Sequence, residues 1–394
     1  MHTMPPPPNR PVYLDNQATT RCDPRVLAEM LPFFAEEYGN PHSAEHAIGR
    51  RAEAAVEAAR GRVAALLGAE PREIVFTSGA TEANNLAIKG AARFARAVDD
   101  PRRRIVTAAT EHKCVLESVL DLRAEGFEPV ILPVRPDGLL DPAALEAAVA
   151  ERPTLLVSVM AANNETGVVQ DIPALAAIAK RAGALFHTDA AQAAGKLALP
   201  LGEWRVDLAS VSGHKMYGPK GVGALYIRRR PRVRISPLFS GGGQERGLRS
   251  GTLPAPLVVG LGEAARIAQR EMEEEALRIA QLRAGLLRRL EQAIPGIAVN
   301  GSMEQRLPGN LNVTFPGAGA QDLMAAVPDL CISTGSACAS AEIEPSYVLR
   351  ALGLPDEAAA RTLRIAIGRF TSAADIDYAA AALAAAHARL AVSA

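Results

Sequence analysis

From about residue 70 to residue 213 the chain alternates apolar runs of strand length with segments of helical period. No other feature limits the available folds so strongly. EIVFT (73–77), RIVTAAT (104–110), PVILPV (129–134), TLLVSVMAA (154–162), ALFHTDA (184–190) and DLASVSG (207–213) read as strands. Between them SGATEANNLAIKGAARFA, a segment from about 113 to 125, DPAALEAAVA (141–150) with its capping Asp, and a stretch after Asp171 read as helices. Apolar strands joined by helices belong in a mostly parallel sheet covered on both faces, so the fold class is α/β. Ligands of such sheets gather at the carboxyl ends of the strands. The polar residues just beyond each apolar run are therefore the ones that matter.

The rhythm breaks at 254–293, a long helical stretch rich in Ala, Leu, Glu and Arg. After it come IAVNG, NLNVTF, a CIST strand, a helix near 345–352, LRIAIG and an alanine-rich final helix, which predicts a smaller α+β domain. A chain of 394 residues also exceeds what one core usually fills. The division expected is 1–15 as an extended segment packing with the small domain, 16–262 as the large ligand-binding domain, and 263–394 as the small domain.

Lys+Arg and Asp+Glu number 43 each, a balance that argues against nucleic acid or an anionic membrane as a partner. An anionic ligand must be held by local groups. No run approaches the roughly 20 apolar residues of a membrane span. The leader MHTMPPPPNRP has no apolar core of a signal peptide, so a cytoplasmic protein with reduced thiols is expected. The four cysteines, Cys22, Cys114, Cys331 and Cys338, contain no C-x2-C pair, and no metal site is expected.

Only six lysines occur. One of them, Lys215, follows an apolar strand in SVSGHKMYGPKGVGALYIRR (210–229), beside Ser212 and His214. An amine placed there suits a Schiff base to an aldehyde cofactor, although a lysine in a glycine-rich turn is commonly a surface residue. Asp189 ends the strand in HTDAAQ, where a carboxylate would hold a ring nitrogen protonated or merely cap a helix. TSGATEANN (77–85) forms a strand-to-helix junction, a place for phosphate. TEHK (110–113) puts His112 at another strand end. In CISTGSACAS (331–340) the small neighbours of Cys338 predict a loop, whereas Cys331 is expected in the core and Cys114 facing a helix interior.

Together with YLDNQATT (13–20), GNPHS (39–43), NNETGVVQ (163–170), RSGT (249–252), EPSYVLRALG (344–353) and LRIAIGRFT (363–371), these stretches resemble the class V aminotransferase family of fold-type I pyridoxal phosphate enzymes, in particular cysteine desulfurases of the NifS/IscS type. The resemblance implies that Lys215 bonds the cofactor, His112 stacks on its ring and moves protons, Asp189 pairs with its ring nitrogen and Gln192 meets its phenolic oxygen. It places Ala80, Thr81, Ser212 and His214 at the phosphate, joined by Thr252 from a second subunit of a homodimer. Asn164 would sit beside the ring near the substrate. Arg364, which lies 26 positions beyond Cys338 with no acidic neighbour in sequence, would clamp the carboxylate of L-cysteine. Cys338 would receive the sulfur as a persulfide and pass it to an acceptor such as an iron–sulfur scaffold protein. Selenocysteine lyase and class V aminotransferase are the alternative activities. Ala339 stands where many members have Thr, and the ending AAHARLAVSA lacks the extended tail with which housekeeping members dock their scaffold.

Overall fold

The computed structural model describes residues 11–335 and 345–392. Its main sheet has seven strands in the spatial order Ile74–Thr77, Gly223–Ile227, Leu208–Ser212, Leu185–Asp189, Thr154–Ser158, Arg104–Ala108 and Glu128–Leu132. The last five pair in parallel. Gly223–Ile227, which the sequence reading leaves inside the motif at 210–229, runs antiparallel to both its neighbours.

Alternate side chains of a strand point to opposite faces. Phe76, Val106, Val157, Phe186, Val211 and Tyr226 pack in one cluster with Val56, Leu145, Leu175 and Leu261 from the helices on that side. Val75, Ile105, Leu156, Leu208 and Leu225, which point to the opposite face, pack in another with Leu86 and Val115. Burial on both faces is why the strands read as unbroken apolar runs. Asp141 caps the helix Pro142–Glu151 by accepting from Ala143 N–H at 3.0 Å, as expected of DPAALEAAVA. The helix expected over 113–125 is shorter. It is α-helical over Lys113–Asp121, tightens to a 3-10 turn over Leu122–Glu125, and stops at Gly126 with φ 86°.

Ile74–Thr77 lies at one edge of the sheet, and its outward backbone groups are covered. Phe76 N–H donates to Glu245 Oε2 at 2.7 Å, while the Ile74 carbonyl accepts from Arg60 at 3.0 Å and Arg246 at 2.7 Å. Arg60 also donates twice to Glu245, at 2.8 Å each, with both side chains buried. The edge is closed to strand addition.

The long helix Ala255–Ala293 serves two cores. Val258, Leu261 and Ala265 belong to the sheet cluster. Ile279, Leu286 and Leu290 belong to a separate cluster with Leu311, Phe315, Ile365, Ile376 and Leu383. That second cluster lies on an antiparallel sheet ordered Thr362–Ala366, Asn310–Thr314, Ala298–Val299. Val12 and Leu14 join it, and Val12–Tyr13 pairs in parallel with Leu330–Cys331. Cys331, expected in the core, is only partly buried.

His187 lies on the central strand, buried between Ser158 Oγ, 2.8 Å from Nδ1, and Ser210 Oγ, 3.1 Å from Nε2. Burial lowers its pKa to about 3. The unfolded chain takes up this proton near pH ~6.5, so below that pH the unfolded state binds more protons and stability falls as the pH drops towards 3. His187→Gln should flatten this acid limb, read as the urea-unfolding midpoint between about pH 7 and 4.5. An unchanged slope would place the titrating group elsewhere.

Candidate active site

Most of the residues singled out gather at the carboxyl ends of the parallel strands. Lys215 ends the 3-10 turn Gly213–Lys215, which follows Leu208–Ser212 directly. Asp189 is the last residue of the neighbouring strand, and His112 caps Lys113–Asp121 just beyond Arg104–Ala108. Ala80 and Thr81 open the helix Ala80–Ala97 after the edge strand. Before them Gly79 takes φ 151° and ψ −176°, a conformation open essentially to glycine. A Cβ on Gly223 would come within 2.4 Å of the Val211 carbonyl oxygen and 2.7 Å of Gly79 Cα. These two glycines let the turn lie against the sheet, with Ser212 Oγ 3.8 Å from where Gly79 would carry a Cβ. First-turn amides of an 18-residue helix beside that hydroxyl form a corner suited to an anion.

Asp189 is buried, with Oδ2 accepting from Asn84 Nδ2 at 2.7 Å and Oδ1 from Ala191 N–H at 2.9 Å. The same Asn84 amide donates to Cys114 Sγ at 3.2 Å, and that sulfur is 3.0 Å from His112 Nδ1. Cys114 packs against the helix-side core, as expected, and its sulfur stands between His112 and Asn84. Burial, and then the Asp189 charge, push its thiol up to about 12, so it keeps its proton and can donate it to His112. The Cys114 N–H donates to the same Nδ1 at 3.2 Å. With two donors on Nδ1, neutral His112 carries its proton on Nε2. Burial also lowers the His112 pKa, opposed by Asp189 and reinforced by Lys215 and Lys113.

Residues 15–20 line the other side. Lys215 Nζ donates to the Gln17 and Ala18 carbonyls at 2.6 and 2.7 Å. Gln192 Nε2 donates to the Gln17 carbonyl at 2.9 Å, and its Oε1 accepts from Lys196 Nζ at 3.3 Å. Burial, with Lys215 adding to it, lowers the Lys196 amine to about 7. His214 Nδ1 is 3.0 Å from Thr19 Oγ1, and burial followed by Lys215 brings that ring down to about 4, which keeps it neutral.

Arg364 is buried, and the acid that the local sequence does not supply comes from 349 positions away: Asp15 Oδ1 lies 2.7 Å from Nη2. Nη1 donates to the Asn164 carbonyl at 2.9 Å and to the Gly335 carbonyl at 3.3 Å. Arg364 Nε and Asn164 Oδ1 are buried with no hydrogen-bond partner among the described residues. A donor and an acceptor thus stand ready on two residues in direct contact. Cys338 lies outside the described residues. On either side of that segment, Ser346 Oγ donates to Glu165 Oε2 at 2.5 Å, and a Cβ on Gly335 would sit 3.0 Å from the same oxygen. Thr252 stands apart as an exposed residue; Arg249 pairs with Glu82 at 2.8 Å, tying its stretch to the helix that Ala80 opens.

Asn84, Asp15 and Glu165 are the residues that sequence reasoning missed. Asn84 alone left a signal, since asparagine is a poor helix-interior residue unless its side chain has a partner. Among the described residues no cluster of His, Cys, Asp or Glu could hold a metal, and no helix is long and apolar enough to cross a membrane.

The chain is 53% identical over 369 residues to the cysteine desulfurase of Homo sapiens, a match covering 94% of this chain and 80% of that protein. It is 50% identical over 372 residues to the cysteine desulfurase IscS of Rickettsia felis, covering 94% and 90% respectively. A solved NifS-like protein superposes with a TM-score of 0.88 at 39% identity, covering 97% of this chain and 100% of the other. The Aminotransferase class-V family matches residues 12–379, and the chain belongs to that family.

Proposed function

We propose that this site converts L-cysteine to L-alanine and passes the sulfur to Cys338. The protein is a pyridoxal phosphate-dependent cysteine desulfurase, in keeping with relatives at 50–53% identity over 94% of the chain. The observation that carries the site assignment is geometric: Asp189, Lys215 and His112 stand at the ends of separate strands of the parallel sheet, and Asn84 and Cys114 link Asp189 to His112 through contacts of 2.7, 3.2 and 3.0 Å.

The residue set fits the cofactor. The amides at Ala80 and Thr81, with Ser212 and His214, would hold its phosphate, and Thr252 would reach it from the second subunit of a homodimer. Asp189 would keep the ring nitrogen protonated, His112 would cover the ring, Gln192 would meet the phenolic oxygen, and Lys215 would bond the aldehyde carbon. Bound pyridoxal phosphate supplies an electron sink for bonds at the substrate's Cα. Arg364 would bind the substrate carboxylate, and Asn164, whose buried Oδ1 has no hydrogen-bond partner among the described residues, would sit beside the ring near the substrate. Lys215 and His112 hold and move the protons. The Cys338 thiolate attacks the substrate sulfur, so that an S–S bond forms as the C–S bond breaks. The carbon keeps the electron pair, takes up a proton and leaves as L-alanine, and Cys338 is left as a persulfide.

The acceptor is an iron–sulfur scaffold or another protein thiolation partner, the setting cytoplasmic, and the domain boundary falls within the long helix near residues 262–263. Incubation of the purified protein with L-cysteine and a thiol reductant should give sulfide and alanine in equal amounts, and sulfide without alanine would refute the reaction. Arg364→Ala removes a buried, charge-assisted anchor, at a cost of about 2–5 kcal/mol. Cysteine binding should weaken by at least about tenfold, measured by titration of the cofactor's visible absorption.

A further inference from the structure

We propose that Asp15 is a built-in competitor for the substrate carboxylate at Arg364, one that limits how tightly the site holds any α-amino acid. The proposal rests on reading Arg364 as the carboxylate anchor. A guanidinium has five N–H donors in a fixed plane. Here Nη1 serves two carbonyls, Nη2 serves Asp15 at 2.7 Å, and Nε serves none among the described residues. A two-pronged carboxylate would use Nε and Nη2. It therefore meets the Asp15 carboxylate on the shared nitrogen, so that two negative charges would share one positive charge.

Asp15 cannot simply swing away. Its backbone bridges to Ala366, two residues beyond Arg364 on the same strand, and its carbonyl accepts from Tyr13 OH at 3.1 Å. Ser333 Oγ holds the same Oδ1 at 3.1 Å. The acid is thus a fixed part of the anchor, aligning the guanidinium while subtracting from its grip on anions.

Such a subtraction has a use. L-alanine carries the same carboxylate and ammonium as L-cysteine, so strength at this anchor holds product as firmly as substrate. Binding that is equal in ground and transition states does not speed the chemical step. Asp15 trims that uniform part and lets the product go.

The test is calorimetric binding of L-alanine to the holoenzyme. Asp15→Asn keeps an acceptor for Arg364 and Ser333 but removes the charge, and should tighten L-alanine binding by at least about tenfold. Ethylamine, which lacks the carboxylate, should bind both proteins alike. KM for cysteine should fall without a rise in kcat. Thermal unfolding of the apoenzyme checks folding, and acetate should raise the melting temperature of Asp15→Asn more than that of the parent. Asp15→Ala should shift L-alanine binding in the same direction. Unchanged or weaker L-alanine binding in both variants would overturn the proposal and leave Asp15 as a positioning residue only. If Arg364→Ala binds L-alanine as well as the parent does, the anchor itself is misassigned, whatever Asp15 does.

Discussion

Cys338→Ser should release no sulfide above background while still binding pyridoxal phosphate and L-cysteine. On the assignment proposed above, those binding steps would use Lys215, Asp189, Arg364 and the first turn of Ala80–Ala97, all provided elsewhere in the chain. Sulfur transfer needs a thiolate, and a serine hydroxyl at neutral pH is neither ionised nor a sulfur acceptor. The other thiols are poor substitutes. Cys114 is pushed up to about 12, Cys22 is raised by burial, and Cys331 is fixed in a strand pair. A free thiol with a pKa near ~8.5 is a few per cent ionised at pH ~7, which suffices for attack once substrate is seated. Serine at positions 22, 114 and 331 should each preserve most of the activity. After a cysteine pulse without reductant, mass spectrometry should find about 32 Da added to the wild-type Cys338 peptide and to no other. Parent-like sulfide production by Cys338→Ser would show that sulfur leaves by another route.

The largest effect on stability should come from Glu245→Ala. This carboxylate accepts from the Phe76 amide at 2.7 Å and from Arg60 at 2.8 Å twice, and Arg60 stacks over the Phe76 ring at 4.5 Å. Removing it leaves the buried guanidinium with only the exposed Glu57, 3.0 Å from Nε, as counter-charge, and an edge-strand N–H without an acceptor. Breaking a buried pair from one side costs about 3–5 kcal/mol. The urea-unfolding midpoint should fall accordingly, and the double substitution Arg60→Met, Glu245→Met should recover part of the loss. A midpoint unchanged in Glu245→Ala would mean that water already reaches this pair.

The sequence made the sheet and its helical cover readable because each strand is a short apolar run and each helix has a local start signal such as Asp141 or Asp171. Gly223–Ile227 looks like a strand too, but nothing local says that it inserts antiparallel between Ile74–Thr77 and Leu208–Ser212. The same limit applies to the site. Lys215, Asp189 and His112 are legible because they follow strands, and strand ends are where such sheets bind ligands. Asp15 meets Arg364 across 349 positions, and Ser346 meets Glu165 across 181, separations that leave no periodic trace. Helical spacing turns Cys114 towards the core, but it does not show that another helix brings Asn84 to its sulfur.

The pairing of residue 12 with residue 330 has a consequence for the ribosome. Chains emerge at about 5–20 residues per second, so Val12 and Leu14 wait roughly 15–60 s for the partners that cover them. During that time the seven-stranded sheet can form, since its last strand ends at Ile227. The segment Val12–Tyr13 is therefore among the last to be secured. A chaperone that grips residues 12–18 would hold back the Gln17 and Ala18 carbonyls as well, keeping Lys215 without those contacts until translation is nearly complete.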